Sequence, residues 1–264
     1  MDLRVFEVAA LDPISQFNIK TWLPMSLFGM DISITNSVGF MALGCALVVL
    51  FFSVASSRGD LVPSRLQSIG ELGYGFIADM IRSIAGEEGL KFFAFVFTLF
   101  FFILAANLVG MSPYAFTTTS QLAVTATLSV LVIAIVIIYG LWKNGFGFFG
   151  LFAPPLGDMP AAGKAVLYTI LIPIEIISFV SRPLTLALRL FANMLAGHIA
   201  LKLFAGFAVM LASAGGVWAV GSILPFTMGV ALNALEFLVA GLQAFVFSIL
   251  TCVYLNDALH PGHH

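Results

Sequence analysis

The sequence predicts an all-α integral membrane protein, from its composition and from the lengths of its apolar stretches. Of the 264 residues, 61% are apolar and 9% are charged, and the mean hydropathy is +1.08. A soluble globule could not bury so large an apolar fraction. Uncharged stretches also recur at lengths of about 20 residues or more, which an α-helix needs to cross a bilayer. The formal net charge of −2 gives no indication of a nucleic-acid partner, and none is expected.

The first half of the chain predicts three spans and one helix of a different kind. A first span is expected near residues 35–56. A longer uncharged block then predicts two spans, at about 91–110 and 121–142, joined by a turn into an upright hairpin. Over residues 63–88, apolar residues at helical spacing are interspersed with charged ones, which predicts an amphipathic helix at the membrane surface. A small soluble connecting helix is the alternative.

The C-terminal third predicts two helices that are too long to stand upright in a bilayer. A Gly- and Pro-rich segment at 144–163 is expected to be a loop in which prolines stop any helix. After it, 163–212 and 217–257 have no strong terminator, and Gly215-Gly216 supplies the turn between them. At 1.5 Å per residue each exceeds the ~30 Å of hydrocarbon by far. Each helix is therefore either strongly tilted or broken into two.

Basic residues predict the orientation of the chain in the membrane. They concentrate between the first and second spans and around the Gly/Pro loop, whereas the turns at 111–120 and 213–216 have none. The positive-inside rule therefore places the N-terminus and both turns outside, and the C-terminus in the cytoplasm. We divide the chain into an N-terminal extramembrane segment (1–34), one membrane domain (35–258) and a histidine-containing tail (259–264). No signal peptide is recognisable at the N-terminus.

Arg189 is the most informative residue of the long hairpin. It has no Asp or Glu within thirteen residues on either side. A guanidinium at the bilayer centre costs about 3 kcal/mol on insertion scales, and it keeps its proton at any physiological pH. Glu175 and Arg182 precede it at intervals of seven, so the three lie along one slowly drifting stripe. Arg182 could pair with Glu175 in a purely structural role, and an internal salt bridge is the structural alternative for Arg189.

Folding the chain at Gly216 brings further polar residues to matching levels. Arg189 and Gln243 are each 27 residues from that point, and His198 and Glu236 are 18 and 20 residues from it. The second pair should therefore lie about 13 Å nearer the outside than the first. Structural alternatives stay open for several of these side chains. His198 could be a satisfied core histidine and Gln243 a link between helices, while Asn193 could simply bond the backbone.

From the outside inward, the predicted series is the Glu236 and His198 pair, then the fixed cation Arg189, then the second acid Glu175. Carboxylates and imidazoles can pass protons, whereas arginine forms a barrier between two half-paths. No phosphate-binding loop, metal-ligand spacing or nucleophile motif occurs, and Cys45 and Cys252 do not suggest a disulfide. We therefore expect no enzyme activity and no cofactor. A secondary transporter that binds an anionic substrate at the arginine, or a structural scaffold, is the alternative.

Three segments resemble one family. The sequence from Leu188 to His198 (LRLFANMLAGH) resembles the signature of subunit a of F-type ATP synthases. The segment from Leu242 to Leu255 is similar to that family's last helix. The segment from Asn107 to Leu122 resembles the turn found in the mitochondrial and closely related bacterial branch.

This resemblance implies a fold, a function and partners. The fold is one N-terminal span, a surface amphipathic helix, an upright helical hairpin and a long, strongly tilted C-terminal helical hairpin. The function is that of the stator subunit of the membrane sector, which forms two proton half-channels against a ring of c subunits and couples proton flow to rotation. The implied partners are the c-ring, peripheral-stalk b-type subunits and the lipid bilayer. The implied location is a bacterial inner membrane or, alternatively, the mitochondrial inner membrane.

The resemblance also assigns roles to residues. Arg189 matches the arginine that faces the ring, and Gln243 matches the glutamine opposite it. His198 and Glu236 match the outer half-channel, and Glu175 matches an acid near the inner one. Two further positions also match the family, Asn193 and the usually basic Arg182.

Overall fold

The computed structural model describes residues 19–24, 26–27, 30–31, 33–57, 63–112, 116–152 and 161–259. Predictions for residues 1–18 and for the tail at 260–264 lie outside these ranges. Within them, the α-helices in chain order are α1 (Asn36–Ser56), α2 (Arg65–Gly89), α3 (Phe93–Gly110), α4 (Leu122–Asn144), α5 (Ala161–Ala214), α6 (Gly216–Gly221) and α7 (Ile223–Leu259). The prediction of an all-α membrane protein is confirmed.

Among the described residues, five helical stretches are long and apolar enough to cross a membrane. Helices α1, α3 and α4 begin and end within about two residues of the predicted spans. Their outer faces carry apolar side chains, such as Leu50 and Ile138, which are 61% and 67% exposed. Apolar side chains on the outer faces of paired helices are expected where lipid is the solvent.

Helix α2 occupies the region predicted to be amphipathic. Ser64 caps its start, because the Ser64 hydroxyl accepts a hydrogen bond from the backbone N–H of Gln67 at 3.3 Å. The predicted apolar stripe divides in two. Ile77 and Ile81 are buried, whereas Leu72 is 72% exposed. The exposed part fits contact with lipid, and the location of this helix at the membrane surface stays a prediction.

The expectation of a non-helical loop at 144–163 is wrong for its first part. Gly145–Phe152 form a 3₁₀ helix, and the following helix begins at Ala161. Phe148 and Leu151 are buried, and a side chain at Gly140 would overlap the Phe148 ring. Burial of these apolar side chains against α4 therefore orders a segment whose Gly content predicts irregular structure. The prolines at 154, 155 and 160 lie outside the described residues.

Two very short antiparallel ladders precede α1 and were not predicted. β1 (Thr21–Leu23) pairs with β4 (Ile34–Thr35), and β2 (Ser26–Leu27) pairs with β3 (Met30–Asp31). Strands of two or three residues are too short to show an alternating pattern, so sequence periodicity could not reveal them.

The long C-terminal hairpin has the predicted turn. Gly215 and Gly216 have φ angles of 71° and 58°, a left-handed conformation that glycine adopts without strain. Helix α5 runs unbroken through Pro173 and Pro183 for 54 residues, or about 81 Å of helix. The second stretch is interrupted after Gly221, but α7 alone has 37 residues, or about 56 Å. Both helices exceed the hydrocarbon thickness, and their tilt in the bilayer stays a prediction.

The chain divides into two compact units, and each long helix contributes to both. Unit one contains the described residues up to Val48 together with Phe102–Leu122 and Arg189–Gln243. Its buried side chains include Ile103, Leu190 and Met194. In the same unit the Asn107 side chain, which is fully buried, donates a hydrogen bond to the Ala240 carbonyl at 3.1 Å. This bond joins α3 to α7, and it gives the buried Asn107 amide a partner in an apolar environment.

Unit two contains Val49–Phe101, Ala123–Leu188 and the described residues from Ala244 onward. Its core includes Ile77, Val96, Val132 and Phe247. The C-terminal end of α7 is capped by the end of α4. Asn144 donates to the Ala258 carbonyl at 2.7 Å, and the Lys143 ammonium lies 3.4 Å from the Leu259 carbonyl. These donors satisfy carbonyl groups that a helix end leaves unpaired.

Candidate functional site

His198 and Glu236 face each other across unit one. His198 lies on α5 and Glu236 on α7, and the imidazole Nδ1 contacts the carboxyl Oε1. Only 12% of the His198 side chain and 4% of the Glu236 side chain is exposed. The hairpin arithmetic predicted that these two residues share a level, and the structure confirms this proximity. The contact places an acid and an imidazole where a proton can pass directly between them.

The other nitrogen of His198 is also held. Nε2 lies 2.9 Å from the Thr117 hydroxyl and 3.0 Å from the Gly110 carbonyl oxygen. The Thr117 hydroxyl in turn donates to the same carbonyl at 3.1 Å. Thr117 is a site residue that sequence reasoning missed. The polar sequence at 117–121 between two apolar spans could have indicated this residue, but it predicts only a turn when read alone.

Gly197 permits the approach of Glu236 to α5. A Cβ atom at this position would lie 2.9 Å from Glu236 Oε1 and 3.2 Å from its Cδ. Real Cβ atoms almost never come so close to other atoms, so any larger residue would push the carboxyl group away from His198. The glycine is therefore part of the geometry of the pair.

A cavity of about 460 Å³ reaches His198 within unit one. Its wall is mostly apolar and includes Pro225 and Phe226. Three other polar side chains line it, namely Ser112, Lys202 and Asn233. A space of this size can hold several water molecules where such polar groups are present. The cavity therefore gives the His198 side chain a route to water.

Arg189 lies on the outer surface of α5. Its neighbour Leu190 is 1% exposed, but Arg189 itself is exposed, as is Asn193 one turn later. Within the part of the chain that the structure describes, no hydrogen bond or ion pair reaches the guanidinium. The structural alternative of an internal salt bridge to Glu175 or Glu236 is therefore wrong. Gln243 is buried, and no hydrogen bond between described residues joins it to Arg189.

Arg182 has a different partner from the one considered in the sequence. In unit two its guanidinium pairs with Asp257 at 2.7 Å, and it lies 5.1 Å from the Tyr254 ring centroid and 5.6 Å from that of Phe179. The suggested pair with Glu175 is therefore wrong. Among the described residues, Glu175 makes no ion pair or hydrogen bond through its side chain.

Asp257 is a second residue that sequence reasoning missed, and a signal for it was present. It lies close to the C-terminal end of α7, where the negative end of the helix dipole disfavours an acid. An acid in such a position indicates a nearby cation. The buried pair with Arg182 supplies one.

Comparison with known proteins decides the family. The family described as ATP synthase A chain matches residues 38–256. Curated relatives named ATP synthase subunit a match over nearly the whole chain. The protein from Hyphomonas neptunium is 67% identical, covering 97% of this chain and 98% of the relative. Those from Maricaulis maris and Brucella ovis are 55% and 52% identical, each covering 100% of the relative and 97% and 96% of this chain.

The chain belongs to the ATP synthase subunit a family. The family prediction and the function that follows from it are thereby confirmed: this is the proton-translocating stator subunit of the membrane sector, and it is not itself catalytic. It is a membrane protein that associates with the rest of the ATP synthase complex. Membership decides against the secondary transporter and the scaffold. The roles of individual residues in subunit a are a separate matter, which the contacts described above make testable.

Proposed function

We propose that this subunit a forms two proton half-channels against a ring of c subunits, with Arg189 separating them. The observation that carries the proposal is the exposed Arg189 guanidinium, which has no counter-charge in the described part of the chain. The arginine lies in a helix that is apolar enough to span a membrane. A cation left in hydrocarbon costs several kcal/mol. An acid on a neighbouring subunit removes that cost, and it must then ionise whenever it meets the arginine.

The outer half-channel in this proposal is the cavity that reaches His198. A proton enters through the cavity, is shared between His198 and Glu236, and then protonates a carboxylate of the ring. The neutral carboxyl can face lipid, because its charge has been removed. The support is the contact between the two side chains and their access to a space that can hold water.

The inner half-channel begins at Glu175. After nearly a full turn of the ring, a carboxyl group arrives at Arg189, ionises, and loses its proton by way of Glu175 to the cytoplasm. Arg182 contributes by holding Asp257, which fixes the inner part of α5 against the last helix. The support for Glu175 is its unpaired carboxyl among the described residues and its position two heptads before Arg189.

Asn193 and Gln243 have supporting roles in this proposal. Asn193 is exposed one turn after Arg189, so its amide can hydrogen-bond to the same ring carboxyl. Gln243 is 5% exposed and lies in the same unit as Arg189. Its amide provides a neutral polar surface beside the arginine without competing for the negative charge of the ring.

We also propose the orientation and the further partners. Basic residues favour a cytoplasmic C-terminus and an external N-terminus in a bacterial inner membrane. The bacterial relatives support that membrane over the mitochondrial one. Peripheral-stalk b-type subunits would hold this stator subunit against the torque of the ring, and the lipid bilayer covers the remaining apolar faces.

Cysteine cross-linking tests the partner at Arg189. With Cys45 and Cys252 replaced by Ala, single cysteines are placed at the exposed Ala192 and Ala196, on the arginine-containing stretch of α5. Both should cross-link to ring subunits that carry a cysteine near their carboxylate. Leu50→Cys, on the exposed face of α1, is the matched control and should not. Equal cross-linking at all three positions, or none at 192 and 196, would contradict the proposal.

A further inference from the structure

Two contacts of His198 Nε2 favour the presence of the hydrogen on that ring nitrogen. The Gly110 carbonyl oxygen, 3.0 Å from Nε2, can only accept a hydrogen bond. The Gly110 carbonyl therefore favours Nε2 as the protonated nitrogen of a neutral His198. The Thr117 hydroxyl agrees with this assignment. It donates its own hydrogen to the Gly110 carbonyl at 3.1 Å, so its oxygen is left to accept from Nε2–H at 2.9 Å.

The position of Thr117 is itself fixed by buried contacts. Thr117 is 3% exposed, and its carbonyl accepts hydrogen bonds from the Ser120 hydroxyl at 2.6 Å and from the Ser120 N–H at 3.2 Å. On the other side, a Cβ atom at Gly110 would lie 2.8 Å from Thr117 Cγ2 and 3.2 Å from its Cα. Only glycine at 110 lets the Thr117 backbone come so close. The Thr117 hydroxyl therefore has little freedom to move away from the imidazole.

We propose that Thr117, together with the Gly110 carbonyl, is a positioning residue that locks His198 in its Nε2–H tautomer and aims bare Nδ1 at Glu236. The inference rests on the proposed function, because it concerns how the outer half-channel pair works. Proton exchange between the two side chains then occurs at Nδ1. The O–H bond of a protonated Glu236 breaks as an N–H bond forms at Nδ1, and the reverse step returns the proton, while Nε2–H stays intact.

The tautomer of a histidine is generally set by what its other nitrogen bonds. Removal of the Thr117 hydroxyl takes away one acceptor of Nε2–H and weakens the restraint on the orientation of the ring. Loss of a group that orients a metal-bound histidine typically costs 10- to 100-fold in metal affinity or activity. We expect a loss of similar size for a histidine that exchanges protons.

The test is proton flux through the assembled complex in inverted membrane vesicles. Thr117→Val keeps the volume and removes the hydroxyl, and flux should fall about tenfold. Thr117→Ser restores the hydroxyl and should bring flux back to within about twofold of the parent. Thr119→Val is the matched control. Thr119 belongs to the same turn and is fully buried, yet its hydroxyl has no hydrogen-bond partner among the described residues. This control should match the parent.

A spectroscopic readout separates positioning from packing. The chain is labelled with ¹⁵N-histidine, and the His198 signal is isolated by subtracting the spectrum of His198→Gln. In the parent, solid-state NMR should show hydrogen on Nε2 only when the imidazole is neutral. In Thr117→Val a second population with hydrogen on Nδ1 should appear. The Ser variant and the Thr119→Val control should give the parent spectrum.

The outcomes that overturn the inference differ from those that overturn the proposed function. If Thr117→Val keeps parental flux and tautomer, while His198→Gln and Glu236→Gln lose flux, only the positioning role of Thr117 is wrong. A Ser variant as slow as the Val variant also overturns it, because side-chain shape and not the hydroxyl would be responsible. Parental flux in His198→Gln and Glu236→Gln would instead overturn the outer half-channel.

Discussion

At the scale of single residues, the proposed outer half-channel depends on one acid and one imidazole in direct contact. Both side chains are almost fully buried, and a cavity gives the imidazole access to water. The direct contact between the two side chains allows a proton to pass from one to the other.

Replacement of Glu236 by Gln should reduce proton flux roughly 100-fold, because a carboxamide keeps the shape of Glu but cannot transfer a proton. The measurement is proton uptake by inverted vesicles during ATP hydrolysis, with complex assembly checked in parallel. Flux equal to the parent at every pH would show that the His/Glu pair is structural and that the outer path lies elsewhere.

Gly197→Ala should reduce flux without weakening the fold. The new methyl group would meet the end of the Glu236 side chain, which can move away at little cost but then leaves His198. Gly241→Ala is the control, since nothing lies within 4 Å of the Cβ position there. Both changes raise helix propensity by a similar amount, about 0.5–1 kcal/mol. Equal flux in the two variants would contradict the importance of the close approach.

At the scale of elements, the Arg182–Asp257 pair joins α5 to α7 within unit two. Its side chains are 19% and 7% exposed, so the charges are largely removed from water. Asp257→Leu leaves a buried guanidinium without its counter-charge and should destabilise the subunit by about 3 kcal/mol. The double change, Asp257→Leu with Arg182→Met, should recover most of that stability, because an apolar replacement of a whole buried pair is often neutral.

Thermal dissociation of the detergent-solubilised complex measures this effect. Glu88→Gln is the control. It disturbs the Lys143–Glu88 pair, whose side chains are 31% and 51% exposed, so the loss should be below about 1 kcal/mol. If the double variant is as unstable as the single one, the loss of stability does not come from the unpaired charge, and other contacts of these two side chains are responsible. If Asp257→Leu is as stable as the control, the pair contributes little.

The elements and the site differ in how far the sequence reveals them. Apolar length alone located α1, α3, α4 and the long hairpin, because lipid imposes a minimum helix length. The contact of His198 with Glu236 followed from counting residues from Gly216. The partner of Arg182 and the contacts of Thr117 did not follow, because both join segments that only tertiary packing brings together. The 3₁₀ helix at Gly145–Phe152 depends on buried Phe148 in the same way.

At the scale of the whole molecule, much of the surface of the subunit is apolar. Many large apolar side chains are exposed, and they suit lipid or other membrane subunits. Among them lies Arg189, an exposed cation that makes no ion pair within the described residues. An unpaired guanidinium at this position costs free energy in an isolated subunit. The carboxylates of a neighbouring ring of c subunits would remove that cost. The central claim is therefore that this arginine separates two proton paths and couples them to rotation.

The most direct test of that claim is ATP-driven proton pumping by vesicles that contain Arg189→Ala in the assembled complex. Pumping should be abolished, because ring carboxylates would no longer be forced to ionise as they pass. Arg189→Lys should largely fail as well, since lysine lacks the fixed fan of donors. Leu188→Ala, at the neighbouring exposed position, should pump normally. Normal coupled pumping by Arg189→Ala would contradict the account.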